Sequence, residues 1–185
     1  MQEINTDATS RIINHGPVII ITAYDEENKR STGMACQWNM PLSRFTAMVK
    51  FGPLSHTLQC VLKTNKFVIN VPLKRSMADV ITFGSKHGNE VDKFPLTNFH
   101  LLPCVSKEFE HPLRIEEAAC CIEMTVERVT PFEDGSKLIV GKTVACSADP
   151  TFFKDSIYTC DKDTPDELLT LHHYGGNKFG VTRPL

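Results

Sequence analysis

The fold of this chain is indicated most clearly by residues 17–43, PVIIITAYDEENKRSTGMACQWNMPLS. The stretch opens with an almost continuous β-branched run, residues 17–24, which predicts a strand, and the charged residues 25–29 that follow are typical of a hairpin loop. Residues 32–39 return as a second strand of mostly small side chains, which ends at the single Trp before Pro41. Small side chains let another molecule approach the backbone closely. The segment therefore predicts an antiparallel pair with an accessible second strand.

Further strands are indicated by the same patterns. An Asp134-Gly135 turn separates two of them, which predicts that they pair as a hairpin. The periodicity fades over residues 147–165, and residues 171–180 form a Gly-punctuated tail. The additional strands are expected at residues 44–50, 67–71, 121–127 and 137–146.

Two short helices are expected between these strands. The first lies within residues 52–62, GPLSHTLQCVL, where apolar side chains recur at three-and-four spacing and Ser55 is a good N-cap residue. Ser76 is expected to cap the second, which ends near Gly84. Residues 84–93 are polar and rich in turn formers, so they predict a loop whose side chains are available to an anion.

This order of elements predicts a mainly β fold. Six or more strands joined by tight turns, with two or three short helices and no strand–helix alternation, favour an antiparallel barrel over a doubly wound sheet. No Gly-rich dinucleotide or triphosphate motif occurs. At 185 residues, the chain is expected to form one domain over residues 1–185.

The composition excludes several classes of partner. The 20 basic and 22 acidic side chains nearly cancel, and no basic run is long enough to bind nucleic acid. The first residues, MQEIN (1–5), lack the features of a secretory signal, and no apolar run approaches the length of about 18 residues that spans a membrane. We therefore expect a cytoplasmic protein that binds neither nucleic acid nor a membrane.

The cysteines indicate reduced, packed thiols. There are seven, without a C-x-x-C spacing. Cys120 and Cys121 are adjacent, as are His172 and His173, so in a strand each pair points to opposite faces and cannot share one metal ion. Because no four Cys or His residues occur at zinc-finger spacing, no metal is expected.

The start of the first helix leaves two interpretations open. Capping alone explains Ser55. It does not explain Thr57, whose hydroxyl would stand beside the unpaired first-turn amides and the positive end of the helix dipole, an arrangement suited to a phosphate. The residues themselves favour the cap alone, and a cap with a bound anion stays open as the alternative.

Five segments in this order resemble the flavin reductase-like family with the FMN-binding split-barrel fold, most closely its flavoredoxin branch. The similarity spans nearly the whole chain. The segments are GMACQWNMPLS (33–43), GPLSHT (52–57), FVINVP (67–72), GSKHGNEVDKF (84–94) and LHHYGGNKFG (171–180). The resemblance implies an antiparallel split β-barrel of Greek-key type with a few short helices.

The resemblance also implies where FMN would bind. The isoalloxazine ring would lie along the small-residue strand, against Ala35, Cys36, Gln37, Trp38 and Asn39. The phosphate would lie at the helix start, on Ser55, His56 and Thr57, with Ser85, Lys86 or Lys93 from the following loop. We interpret the Cys36 side chain itself as a small packing residue rather than a reactive thiol.

The implied reaction is hydride transfer from NAD(P)H to bound FMN and on to a small-molecule or protein acceptor, in a homodimer. The flavin would carry the chemistry, so no catalytic acid or base is required. Relatives often carry a Gly-Asp-His turn whose His lies near the nicotinamide, but here the turn contains Asp134 and Gly135 without an imidazole. His172 and His173 are the remaining candidates. An electron carrier without NAD(P)H activity and a barrel that binds another phosphorylated molecule stay as alternatives.

Overall fold

The structure, a computed structural model, describes residues 16–185. The expectation for residues 1–5 falls outside them. Two α-helices occur in the described part, α1 (His56–Thr64) and α2 (Met77–Ser85). The strands are β1 (Ile19–Asp25), β2 (Arg30–Cys36), β3 (Asn39–Pro41), β4 (Thr46–Phe51), β5 (Lys66–Val71), β6 (Leu101–Leu102), β7 (Arg114–Ile115), β8 (Cys120–Pro131), β9 (Lys137–Ala148), β10 (Phe153–Lys154), β11 (Ile157–Tyr158), β12 (Leu171–Gly175) and β13 (Lys178–Val181).

Seven of these strands form one antiparallel sheet in the order β2-β1-β5-β8-β9-β4-β3. Its two edge strands, β2 and β3, are consecutive in the sequence and separated only by Gln37 and Trp38. So short a connection spans about 10 Å at most. The sheet must therefore curl until its edges approach, which produces the predicted split barrel.

The closure corrects one expectation of the sequence analysis. Residues 32–39 were predicted as a single strand, but the strand ends at Cys36 and a new one begins at Asn39. The break is required because the chain crosses there from one edge of the sheet to the other. Trp38 marks the crossing, since its carbonyl accepts a hydrogen bond from the Lys50 N–H of β4 at 2.9 Å.

The sheet is buried on both faces, which explains the unbroken apolar run of β1. Ile19 and Ile21 face the barrel interior, whereas Ile20 faces an outer core formed with α2 and residues 94–119. α1 contributes Leu58 and Val61 to the interior cluster. Because these side chains pack with Phe51 and Phe67, α1 closes one end of the barrel.

Three local features of the structure can be compared with the sequence analysis: the β8–β9 turn, the start of α2 and residues 171–180. The Asp134-Gly135 turn joins β8 and β9 as predicted, with Gly135 at φ +79°. Ser76 does not cap α2 with its side chain, because a 3₁₀ turn, Lys74–Ser76, leads directly into that helix. Residues 171–180, expected as a tail, form the β12–β13 hairpin, whose turn uses two glycines with positive φ, Gly175 and Gly176.

No helix in residues 16–185 is both long and apolar enough to cross a membrane.

Candidate functional site

The N-terminus of α1 is built as the sequence predicts. Ser55 has an extended backbone, and its Oγ accepts a hydrogen bond from the Leu58 N–H at 3.1 Å. The N-cap interpretation of Ser55 is therefore confirmed. Within residues 16–185, the backbone N–H groups of His56 and Thr57 donate no hydrogen bond. The helix thus presents two free donors and the positive end of its dipole at one point.

Both residues, His56 and Thr57, line a cavity of about 290 Å³. Its walls come from three places: the start of α1, the middle of β2, and the end of α2 with the loop that follows. The lining residues are Met34, Ala35, Gly52, Pro53, Leu54, Ser55, His56, Thr57, Phe83, Gly84, Lys86, His87, Gly88 and Lys93. Since β2 is the small-residue strand, the structure brings that strand and the helix start into one site.

Lys93 supplies a buried cation to this cavity. The residue is only 4% exposed, and its Nζ donates hydrogen bonds of 2.9 Å to the carbonyl oxygens of Gly33 and Phe83. Burial lowers the pKa of Lys93 to about 8. No carboxylate of the described residues forms an ion pair with it. An ammonium group has three donors, so one N–H remains for a ligand.

The loop after α2 is held tightly over the helix start. Arg30 donates a hydrogen bond to the Gly88 carbonyl oxygen at 2.9 Å, and a Cβ at position 88 would lie 2.6 Å from Thr32 Oγ1 and 3.1 Å from His56 Cδ2. Only glycine fits there without a shift of the neighbouring atoms. The loop therefore forms a closely packed wall of the cavity.

His56, which lines the cavity, is anchored by Asp25. Its Nε2 lies 2.7 Å from Asp25 Oδ2. Burial acts to raise the pKa of Asp25, but hydrogen bonds from Asn28 and His56 outweigh it, so that the pKa falls from 3.8 to about 2. The carboxylate is thus ionised at neutral pH, and it fixes the orientation of the imidazole.

The structure places most of the remaining predicted residues outside the lining of this cavity. Cys36 is buried in the interior core, and burial raises the pKa of its thiol to about 12, which confirms its interpretation as a packing residue. Trp38 is 44% exposed, with the Lys50 ammonium 4.7 Å from its ring centroid. Ser85 and Lys86 are exposed at the end of α2, and of these two only Lys86 lines the cavity.

The edge crossing is tied to the C-terminal hairpin. Gln37 Nε2 donates to the His173 carbonyl oxygen at 2.8 Å, and Gln37 Oε1 lies 2.7 Å from His173 Nδ1. Asn39 donates to the Pro17 carbonyl oxygen at 3.0 Å. The ring position along residues 35–39 stays a prediction, but β12 and β13 now lie beside it.

A second cavity of about 800 Å³ lies at the other end of the barrel interior. It is lined by the start of β4 and the end of β5, through Ala47 and Val71, and is covered by residues 151–184. Asn39 and His172 both line it. The two adjacent histidines therefore differ in surroundings, since His173 contacts Gln37 and His172 faces this apolar space.

Eight residues that line the first cavity were not among the predicted site residues. For Gly84 and Gly88 the sequence contains a signal, because both glycines lie in a loop that was already expected to bind an anion. For Met34 and Phe83 it contains none, since each is an ordinary apolar residue whose position depends on how β2 and α2 pack. The residues not predicted are Met34, Gly52, Pro53, Leu54, Phe83, Gly84, His87 and Gly88.

Comparison with solved structures supports the fold. The chain aligns over its full length with flavoredoxin from Methanosarcina acetivorans, at a TM-score of 0.81 and 18% identity over 92% of that chain. It aligns equally completely with nitrilotriacetate monooxygenase component B from Bacillus cereus, at a TM-score of 0.82 and 14% identity over 97% of that chain. An FMN-binding protein from Thermus thermophilus aligns over 99% of this chain and 94% of its own chain, at a TM-score of 0.78 and 22% identity. At these identities the likeness shows the fold alone.

Sequence comparison goes further. The uncharacterised protein YddH of Escherichia coli (strain K12) is 30% identical over 173 residues, which cover 92% of this chain and 88% of that protein. The model of the flavin reductase-like domain matches residues 11–173. The match includes both the small-residue strand and the start of α1, so the chain belongs to the flavin reductase-like domain family.

Proposed function

We propose that this chain binds FMN and acts as an oxidoreductase that passes electrons from NAD(P)H through the flavin to an acceptor. The observation that carries the proposal is the pair of free N–H groups at His56 and Thr57, two residues that line the same cavity as the buried Lys93. Backbone donors at a helix terminus together with a cation suit a phosphate dianion. Family membership supports the choice of a flavin as the molecule that carries this phosphate.

The cavity fits one part of FMN in size as well as in charge. A cavity of about 290 Å³ is small for a whole flavin but suits its phosphate and the adjoining sugar chain. From there Ala35 leads along the edge of β2 towards the exposed Trp38. The backbone of residues 35–39 would hold the ring, and FMN would supply the transfer of hydride and electrons.

The chain's own groups would bind and orient the flavin. The α1 amides and Lys93 would neutralise the phosphate, and the loop at Gly88 would exclude water from it. Gln37, held by His173, would fix the edge beside the ring. None of these groups needs to transfer a proton, because hydride transfer requires positioning rather than acid–base catalysis.

An electron carrier without NAD(P)H activity is the second candidate. It is favoured by the β8–β9 turn, where Ser136 is buried against Asp134 and no imidazole is present. Steady-state oxidation of NADH and NADPH by the flavin-loaded protein distinguishes the two candidates. Turnover well above that of free FMN supports the reductase, and its absence supports the carrier.

A barrel that binds a different phosphorylated molecule is tested by an absorption spectrum. If the proposal is correct, the purified protein is yellow or gains perturbed flavin bands when FMN is added. A colourless protein that leaves the FMN spectrum unchanged would rule out both flavin functions.

We further propose a homodimer that donates electrons to a small molecule or a protein. Apolar side chains stay exposed around β3, next to the proposed ring position, and a second copy would cover them. They are Trp38, Met40, Leu42 and Phe45. Light scattering coupled to size exclusion measures the mass directly, and a monomer at micromolar concentration would contradict this part of the proposal.

Thr57→Val tests the phosphate position. Thr57 is 2% exposed and lines the cavity, and valine keeps its shape while removing the hydroxyl. We expect FMN affinity to fall by on the order of 1 to 3 kcal/mol, because a hydrogen bond to a charged group is lost. Fluorescence titration of FMN measures the change.

The matched control is Thr130→Val, an exposed position on β8 far along the chain from the cavity. Ser55→Ala is less informative, because it also removes the cap of α1 and costs about 1 kcal/mol of stability. Unchanged affinity in Thr57→Val, with both valine variants folded, would remove Thr57 from the site.

A further inference from the structure

Three metal-ligating side chains meet beside the flavin site. Asp25 stands at the end of β1, and His56 and Cys60 lie one turn apart on α1. One ligand atom from each falls within 4.8 Å of the others. His56 Nε2 lies 2.7 Å from Asp25 Oδ2 and 3.6 Å from Cys60 Sγ. The cluster therefore combines one nitrogen, one oxygen and one sulfur around a common point.

These separations suit a tetrahedral zinc ion. Zinc–sulfur bonds of about 2.3 Å and zinc–nitrogen or zinc–oxygen bonds of about 2.0–2.2 Å place the sulfur about 3.5 Å from the nitrogen, and the nitrogen about 3.3 Å from the oxygen. The Cys60–His56 separation of 3.6 Å is already appropriate. The Asp25–His56 pair must open by about half an ångström, which replaces a hydrogen bond by two metal bonds.

The surroundings orient the ligands. Asp25 Oδ1 accepts hydrogen bonds from the N–H groups of Glu27 and Asn28, both at 3.1 Å, and Oδ2 accepts one from Asn28 Nδ2 at 2.7 Å. Such contacts fix a ligating carboxylate in place. Asp25 and Cys60 are buried, but His56 also lines the 290 Å³ cavity, which offers an entry path and a position for a fourth ligand.

We propose that Asp25, His56 and Cys60 bind one Zn²⁺ ion, with water as the fourth ligand. This site goes beyond the proposed flavin function, which needs no metal. On binding, the Cys60 thiol loses its proton to solvent as the metal–sulfur bond forms, and the carboxylate and thiolate together balance the charge of the ion. The proton between His56 Nε2 and Asp25 leaves that position, so that Nε2 becomes a metal ligand.

Binding would tie the β1–β2 hairpin to the first turns of α1. Both elements border the proposed phosphate site, and a ligand that binds only the folded state raises its stability. Zinc is therefore expected to raise the midpoint of thermal unfolding of the flavin-loaded protein. Zinc should not raise the midpoint in a variant that lacks one of the three metal-binding side chains.

Cobalt titration tests the proposal directly. We expect the flavin-loaded wild-type protein to bind one Co²⁺ per chain, with a sulfur-to-cobalt charge-transfer band and tetrahedral d–d bands at longer wavelength than the flavin absorption. Zinc should displace the cobalt and abolish the bands. X-ray absorption of the zinc form should show one sulfur ligand.

Two variants locate the site and one controls for it. Cys60→Ser should abolish the charge-transfer band and weaken metal affinity about 100-fold, and Asp25→Asn should weaken it at least tenfold. Cys146→Ser replaces an exposed thiol on β9 and should change neither the charge-transfer band nor the metal affinity. If Cys60→Ser does not fold, the metal affinity of Asp25→Asn and the number of sulfur ligands that X-ray absorption finds in the wild-type protein still test the proposal. The proposal is overturned if the wild-type protein binds no metal at micromolar concentration, or if the bands survive in Cys60→Ser or disappear in Cys146→Ser.

Discussion

Lys93→Met is expected to weaken FMN binding about 100-fold. Methionine keeps the length and apolar stem of the side chain. It removes the only buried cation among the described residues that line the 290 Å³ cavity. A charge-assisted hydrogen bond in a water-excluded site is worth about twice a neutral one. A 100-fold loss corresponds to about 2.7 kcal/mol, near the upper end of the range expected for Thr57→Val. Fluorescence or calorimetric titration of FMN into the metal-free protein measures the effect.

Lys86→Met is the matched control. Lys86 lines the same cavity but is exposed, and exposed charge pairs contribute about 0–1 kcal/mol. We therefore expect an effect of less than about fivefold. If the two lysine variants lose equal affinity, the phosphate does not contact Lys93 in particular, and the electrostatic contribution comes from the surface.

The pH dependence distinguishes Lys93 from every neutral contact. Burial lowers the pKa of Lys93 to about 8, and a bound dianion favours the charged form, so the pKa rises on binding. Affinity is therefore full below pH 8 and falls as pH rises through the pKa of the free protein, because binding then requires uptake of a proton. The FMN affinity of Lys93→Met should not fall over this pH range. A wild-type affinity that is constant from pH 7 to 10 would show that the ammonium does not face the ligand.

Gly141→Val should destabilise the barrel by more than about 3 kcal/mol. A Cβ at position 141 of β9 would lie 2.6 Å from Phe67 Cζ and 3.1 Å from Met124 Cβ. Phe67 and Met124 are both fully buried in the interior core, so neither side chain has space to move. Overpacking of a close-packed core typically costs about 1–3 kcal/mol for modest insertions, and a branched side chain at such short contacts exceeds that.

Urea denaturation of the variant measures the change in free energy. Gly52→Ala is the control, because a Cβ at position 52 would meet nothing within 4 Å. The double variant Gly141→Val, Phe67→Leu removes the tip of the ring and should recover part of the loss. A Gly141→Val protein as stable as Gly52→Ala would mean that β9 does not pack on Phe67 as described.

Local patterns in the chain predicted most of the elements correctly. β1, β5, β9 and the end of α1 lie within one or two residues of their predicted ranges, because each has a strong periodicity and a clear turn or cap beside it. β8 was predicted at residues 121–127 but continues to Pro131, four residues further. The β10–β11 and β12–β13 hairpins were missed. Their strands are two to five residues long, which is too short for a periodic signal.

The candidate site was predictable in part. Ser55 and Thr57 were found because capping and anion binding at a helix start follow from backbone geometry, which a local pattern encodes. The burial of Lys93 could not be predicted, because it depends on the carbonyl groups of Gly33 in β2 and Phe83 in α2, which only the packing of these elements brings to the Lys93 ammonium. Asp25 was interpreted as a loop residue, yet it forms the partner of His56 across 31 positions.

By itself the sequence determined a mainly antiparallel β-chain, the α1 cap and a likeness to flavin reductase-like proteins, since all of these depend on spacing between near neighbours. The tertiary structure alone decided that β2 and β3 become opposite edges of one sheet and that Asp25 meets His56 and Cys60. It also decided that Lys93 is buried, with no carboxylate partner within residues 16–185. The physical reason is that these outcomes depend on how the sheet curls. Curling brings together residues from distant parts of the chain whose local patterns carry no information about one another.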